Sequence, residues 1–388
     1  MRFSKHLKDF VNLDYFEFPC KKVKSKFLSL KFHLTNTKVD TKLTEIFICN
    51  KTSPYDKYFV SSCLENNLLI LKDIAVQTLY NNNFEGDEVE DIAVNLLMLK
   101  KAFISVVIFP ERHQSVIGDY SNVPDEFIDF IYDLDFDGVS FINLIGTYFI
   151  RPIWASHERI CDTKIEKRFF IAPSEYDIEE FREKYRKYTP SSASVYSKKI
   201  PVFLRGNKLA ENFESFLYVC PNCNQFFSII SEFSCLKCHN CGTAFEFSNS
   251  GEIDLCKHFS TIDEASEFQY SLLSSIKPSF DRLFSYNNLK VKDFFTNSTT
   301  QYMECPSFEI YQNKIDFVLY DNKTTIPFES LIDVYIDYGN QIFFTWKTKD
   351  DLLDKYVFKG DNKENFYVIL DLIKLFKANI EYFSNKSE

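Results

Sequence analysis

The chain has 388 residues, 45% of them hydrophobic and 26% charged, and a net charge of −10. That length exceeds one ordinary hydrophobic core and predicts two or three domains, while the composition excludes a disordered chain. The acidic balance argues against nucleic-acid binding, because phosphate affinity needs clustered Lys and Arg.

The first 32 residues run against that balance. Arg2, Lys5, Lys8, Lys21, Lys22, Lys24, Lys26 and Lys31 outnumber Asp9, Asp14 and Glu17, which puts +5 on this arm and −15 on the rest. A basic arm containing Phe and Leu suits an anionic membrane surface. The plainer reading is a solvated helix and strand face. Charges interrupt the arm throughout, so it does not read as a signal peptide. The most apolar run, Gly138 to Ile150, is too short to cross a bilayer as a helix. These features predict a cytoplasmic protein, at most peripheral to the inner face of a membrane. Eleven cysteines in that setting point to a metal or free thiols, not disulfides.

Up to about Val195, short apolar runs alternate with helical patterns. Ile46–Cys49, Ser105–Phe109 and Phe141–Ile145 read as buried strands. Asp87–Ala102 carries apolar residues at helical spacing, acids in its first turn and lysines in its last, which complements the helix dipole. Ser174–Tyr188 reads as a second helix with Ser174 as its N-cap. Strands alternating with helices predict an α/β domain with a largely parallel sheet. Thr261–Ile276 reads as a connecting helix. Beyond it the pattern switches to alternating apolar and polar residues, with turns at Gln312-Asn313, Asp321-Asn322 and Gly339-Asn340. An amphipathic helix, Lys363–Phe383, closes the chain. A strand meander capped by one helix is the pattern of a pleckstrin-homology or GRAM-like domain, by fold analogy alone.

Between these regions stand two C-x₂-C knuckles. Cys220 and Cys223 are followed after fourteen residues by Cys238 and Cys241. Four thiolates so spaced suit one tetrahedral Zn²⁺, which would be structural because no position stays open for substrate. Cys235 also forms a C-x₂-C with Cys238. The glycine after Cys241 favours Cys241 as the fourth ligand. Cys235 and the scattered Cys20, Cys49, Cys63, Cys161, Cys256 and Cys305 read as small core residues.

Four stretches together resemble one family, the PlsC-type 1-acylglycerol-3-phosphate (lysophospholipid) acyltransferases. "CNKTSPYD", residues 49–56, stands where that family has N-H-x-S-x-x-D. "VVIFPERHQS", 106–115, resembles its V-x-F-P-E-G-T-R-S motif. "LIGTYFIRPIWA", 144–155, resembles the G-x-Y-x-x-R-P-x-W segment of a clostridial-type branch. "GNKLAENFESFLYVCPNC", 206–223, resembles that branch's entry into an appended zinc ribbon. The likeness covers about residues 40–250. It implies a glycerolipid-acyltransferase-like sheet flanked by helices over 1–215 and a zinc ribbon over 216–250. A helical connector over 251–300 and the PH/GRAM-like domain over 301–388 complete the expected organisation.

The family's reaction moves an acyl group from acyl-CoA or acyl carrier protein to a lysophospholipid hydroxyl. Its histidine takes the hydroxyl proton, its aspartate orients that histidine, and its F-P-E-G-T-R-S loop holds the glycerol phosphate. The resemblance places Lys51 at the histidine and Asp56 at the aspartate. Near its reference pKa of about 10.4, a lysine is neutral about once in two thousand molecules at pH 7, and a facing Asp56 would favour the ammonium further. On the phosphate loop Glu111 remains, while Arg112, His113 and Gln114 replace glycine, threonine and arginine. The leading expectation is therefore a catalytically impaired protein that binds a lipid or an acyl carrier. An active enzyme using His113 as base, with Arg112 gripping phosphate, is the rival reading. A zinc-ribbon adaptor is the third.

Overall fold

The computed structural model describes residues 11–18, 33–34, 43–63, 68–118, 123–161, 163–189, 204–206, 208–248, 253–254, 259, 261–276, 282–293, 302–338, 340–350, 352–360 and 364–384. Most of the basic arm, residues 1–10 and 19–32, lies outside them. The chain forms two compact units, residues 1–152 with 159–205 and residues 153–158 with 206–388.

The first unit is built on a seven-stranded mixed sheet of β1 (Phe16–Glu17), β2 (His33–Leu34), β3 (Glu45–Cys49), β4 (Leu68–Leu71), β5 (Ser105–Ile108), β6 (Gly138–Ile145) and β8 (Lys164–Ile171), in the order β1-β4-β5-β3-β6-β8-β2. A short pair, β7 (Ile160–Cys161) with β9 (Leu204–Arg205), stands apart from it. The four central strands β4, β5, β3 and β6 run parallel, whereas β1 and β8 join antiparallel. All residues of β3, β4, β5 and β6 are buried, as expected of strands covered on both faces. Helices α1 (Asp56–Cys63), α2 (Asp73–Asn81), α3 (Asp87–Lys101), α4 (Asp125–Asp133), α5 (Thr147–Ile150) and α6 (Ile178–Tyr188) accompany them.

The dipole complement anticipated in α3 is present, with Asp87, Glu88 and Glu90 in its first turn and Lys100 and Lys101 in its last. The expected N-cap of α6 is corrected. Asp177, not Ser174, caps the helix by accepting from Glu180 N at 2.9 Å. Ser174 lies in a separate 3₁₀ turn, Pro173–Glu175, because the chain stays extended at Tyr176.

The second unit opens with a small antiparallel sheet, β10 (Ile229–Glu232), β11 (Cys235–Cys238), β12 (Ala244–Phe247) and β13 (Ile253–Asp254). Helix α7 (Ile262–Ser274) follows, started by a capping box in which Thr261 and Glu264 exchange side-chain-to-backbone hydrogen bonds. A seven-stranded antiparallel sheet comprises β14 (Phe284–Asp293), β15 (Met303–Ile310), β16 (Lys314–Leu319), β17 (Asn322–Pro327), β18 (Leu331–Asp337), β19 (Gln341–Lys347) and β20 (Leu353–Lys359), ordered β17-β16-β15-β14-β20-β19-β18. Strand β14 falls within the stretch expected to be a helical connector. The turn placed at Asp321-Asn322 is shifted by one residue. Leu319 pairs with Asn322 around Tyr320 and Asp321, both at positive φ, which is a two-residue type I′ geometry. Helix α8 (Tyr367–Ser384) closes the described chain.

Candidate functional site

The loop after β3 and the loop after β5 meet at the carboxyl edge of the parallel strands, the end where α/β sheets commonly place ligand sites. Asn50 ties the first loop to β6 by accepting from Leu144 N at 3.2 Å. Asp56 then turns back on the loop from the first residue of α1. Its Oδ2 accepts from Thr52 N at 2.6 Å and Ser53 N at 2.7 Å. Glu111 holds the same loop from the other side, its Oε2 accepting from Lys51 N at 3.0 Å. Gln114 adds a third tie, donating from Nε2 to Thr52 O at 2.7 Å. Gly146, at φ 86, turns the chain from β6 into α5 and brings Thr147 Oγ1 to 3.3 Å from Thr52 Oγ1.

Both carboxyls are deeply buried, Asp56 at 1% exposure and Glu111 at 2%. Burial raises Asp56 to about 7, although the Thr147 hydroxyl and the loop amides oppose it. Burial likewise raises Glu111 to about 8, against the pull of its own amide and that of Lys51, and Asp56 pushes it further up. Oε1 of Glu111 has no hydrogen-bond partner. Burial also pushes the Cys49 thiol well up, with Asp56 and Glu111 adding to the effect, so this thiol is not primed as a nucleophile.

Lys51 does not meet the expectation that it faces Asp56. Its Nζ lies 3.3 Å from Asp73 Oδ1 at the start of α2, and the side chain is 20% exposed. Lys57 reaches the same oxygen at 3.4 Å and Glu17 Oε1 at 2.7 Å. The reason is electrostatic and steric. Asp56 Oδ2 is already saturated by loop donors inside the core, whereas Asp73 offers a half-exposed carboxylate that costs the ammonium little desolvation. Arg112 points along α2, donating to Asn81 Oδ1 at 2.8 Å with its guanidinium over the Tyr80 ring. His113 is half-buried on the same loop. Asp73, Lys57 and Thr147 were not singled out from sequence. The first two are ordinary helix-start charges, and no spacing pattern marks them.

A second cluster is made by the two cysteine knuckles. The sulfurs of Cys220, Cys223, Cys238 and Cys241 all lie within 4.8 Å of one another. Cys220 and Cys241 are 3.8 Å apart, as are Cys223 and Cys238. A zinc–sulfur bond of about 2.3 Å puts the corners of a tetrahedron about 3.8 Å apart, so the donor set fits a tetrahedral metal. Gly242, at φ 71, makes the turn after the last cysteine. Asn222 donates from Nδ2 to Cys241 Sγ at 3.5 Å, and Asn240 from Nδ2 to Cys223 Sγ at 3.4 Å. Each knuckle thus supplies an amide to the other's last sulfur. The repeated x-N-C within CPNC and CHNC was the readable sign of this. Thr243 and Asn222 draw the Cys241 thiol down to about 5, whereas burial pushes Cys220 up to about 12.

Cys235 lies outside the cluster. Strand β11 alternates exposed and buried residues from Cys235 to Cys238, so the two sulfurs leave opposite faces of the strand. Cys235 is exposed, which corrects its reading as a core residue, whereas Cys49, Cys161 and Cys305 are buried.

No model of a known protein family matches the chain. Comparison with curated proteins likewise finds no match. Among solved structures, the chain is similar to the 1-acyl-sn-glycerophosphate (LPA) acyltransferase PlsC from Thermotoga maritima, at 14% identity and a TM-score of 0.31, over 41% of this chain and 69% of that one. It is also similar to inner membrane complex sub-compartment protein 3 (ISP3) from Toxoplasma gondii, at 14% identity and a TM-score of 0.18, over 28% of this chain and 84% of that one. Likenesses this slight establish neither fold family nor function. Among the described residues, no helix is long and apolar enough to cross a membrane.

Proposed function

We propose that the first unit is an acyltransferase-like domain that binds a lysophospholipid or an acyl carrier without turning it over, and that the cysteine cluster holds a structural zinc. One observation carries the first part. Position 51 bears an ammonium paired with Asp73, while Asp56 spends its Oδ2 on the amides of its own loop. An acid so engaged is a clamp for the loop, and an ammonium so paired is not a proton acceptor at neutral pH. General-base catalysis contributes about 10²–10⁴-fold, so a site without its base turns over feebly even when binding is intact.

For the zinc, four sulfurs at tetrahedral spacing leave no vertex for substrate, and two asparagine amides stabilise the thiolates. The peripheral, cytoplasmic placement belongs to the same reading.

The test is transfer of a radiolabelled acyl group to lysophosphatidate from acyl-CoA and from acyl carrier protein, with lysophosphatidate binding followed by calorimetry. Binding weakened about ten-fold or more by Lys51→Ala, with no transfer above background, supports the reading. Transfer that survives Lys51→Ala and disappears in His113→Ala would overturn it and make His113 the base.

A further inference from the structure

The outward face of the large antiparallel sheet is basic, although the whole chain carries −10. Strand register fixes which residues share that face, because paired residues project to the same side. Lys290 of β14 pairs with Lys359 of β20, which pairs with Gln341 of β19. In the next row, Lys292 pairs with Val357, Val357 with Phe343, and Phe343 with Tyr335 of β18. Lys355 pairs with Thr345 in the third row and Leu353 with Lys347 in the fourth. Five lysines therefore occupy three adjacent strands. The acids of the face, Glu304, Asp333 and Asp337, stand only on the flanking strands β15 and β18.

The centre of the face is aromatic. Tyr335 and Phe343 stack at 4.5 Å with an interplanar angle of 7°, and Lys355 Nζ lies 5.7 Å from each ring centroid. Because the rings cover each other, they present edges outward and offer no free face for a nucleobase to stack upon. The β19–β20 hairpin at the end of the face carries Leu352, 66% exposed, and Leu353, 49% exposed. In that hairpin Lys349 and Asp350 are both exposed and cancel in charge. Exposed leucines beside a lysine field have no role against a nucleic-acid backbone, but they do against the boundary between headgroups and acyl chains.

We infer that this face, formed by β14, β20 and β19 with the Leu352–Leu353 hairpin, docks on an anionic lipid bilayer. The lysines would lie over phosphate headgroups, with their aliphatic stems and the aromatic edges toward the interface, and the hairpin leucines would enter it. This surface is separate from the loop at Lys51 and from the basic N-terminal arm, so it stands whether or not the first unit binds lipid.

Flotation of the full chain with vesicles of phosphatidylcholine, with and without 30% phosphatidylglycerol, tests it. Each lysine near an anionic leaflet is worth roughly five-fold in affinity at low salt, screened within a Debye length. Lys290→Gln with Lys359→Gln, both exposed and harmless to the fold, should weaken binding to anionic vesicles about 25-fold. Binding should fall as salt rises from about 50 to 500 mM, and Lys51→Ala should leave it unchanged. A Leu352→Trp chain should shift its emission to the blue with anionic vesicles and not with neutral ones. Equal binding to neutral and anionic vesicles, or undiminished binding by the double variant, would overturn the inference. So would an absence of vesicle binding, or preferential capture of single-stranded oligonucleotide by the same lysines.

Discussion

Asp56 and Glu111 clamp one loop from two sides, and both sit in the core with carboxyl pKa values raised well above those of an unfolded chain. A raised acid pKa means that the folded state binds the proton more tightly. Its stabilising effect is full below about pH 4 and is lost as pH rises through the folded values of about 7 and about 8. Stability should therefore decline from pH 5 to pH 8.5. Glu111→Gln keeps an oxygen to accept from Lys51 N and carries no charge. It should match the parent within about 1 kcal/mol at pH 5 and exceed it by about 1–3 kcal/mol at pH 8.5, the range for an uncompensated buried charge. Urea melts at the two pH values read this directly. A parent chain whose midpoint does not fall between them would mean that these carboxyls ionise freely.

At the scale of the element, the ribbon is where sequence and geometry speak most alike. Metal analysis of protein purified without added zinc should give close to one equivalent per chain. Cys238→Ser should abolish it and lower solubility, because the metal holds together a hairpin too small to bury its own core. Cys235→Ser should keep the full equivalent, since its sulfur leaves the other face of β11. Full zinc in Cys238→Ser would remove the assignment. The knuckles were legible because ligand spacing is local, and so were β3, β5 and β6, whose apolar runs require burial on two faces. Helix α3 was legible from periodicity and end charges together. What escaped depends on contacts distant in sequence or on single backbone angles. Lys51 pairs with Asp73 across 22 residues, a partner no spacing rule picks out. The cap of α6 was misread because Ser174 and Asp177 are equally good cap residues. Only the extended backbone at Tyr176 decides between them.

In the second unit, side chains from every part converge on the stretch that leads into the first knuckle. Tyr218, two residues before Cys220, accepts no side chain casually. Its amide donates to Gln269 of α7 at 2.6 Å, and its hydroxyl donates to Asp371 of α8 at 2.8 Å. Ser266 and Tyr367 join α7 to α8 through their hydroxyls at 2.9 Å, and Asn365 donates to Glu214 O at 2.7 Å. Phe226 and Phe227 pack on Phe284, so β14 is engaged as well. A ribbon bonded in this way is a strut of the whole unit, and loosening it should loosen α8. Hydrogen exchange of the full chain before and after zinc removal by a chelator provides the measurement. Protection should fall in Ile229–Phe247 and also in Tyr367–Ser384, whereas β3, β5 and β6 of the first unit should keep theirs, since none of them shares those bonds. Tyr218→Phe, with zinc bound, should loosen α8 alone. Its effect should be larger at pH 8 than at pH 5, because burial raises Asp371 to about 6 and only its ionised form depends on the lost donor. Unchanged exchange in α8 after zinc removal would mean that the ribbon folds as an independent module, with the Tyr218–Asp371 bond contributing nothing to the helix's hold.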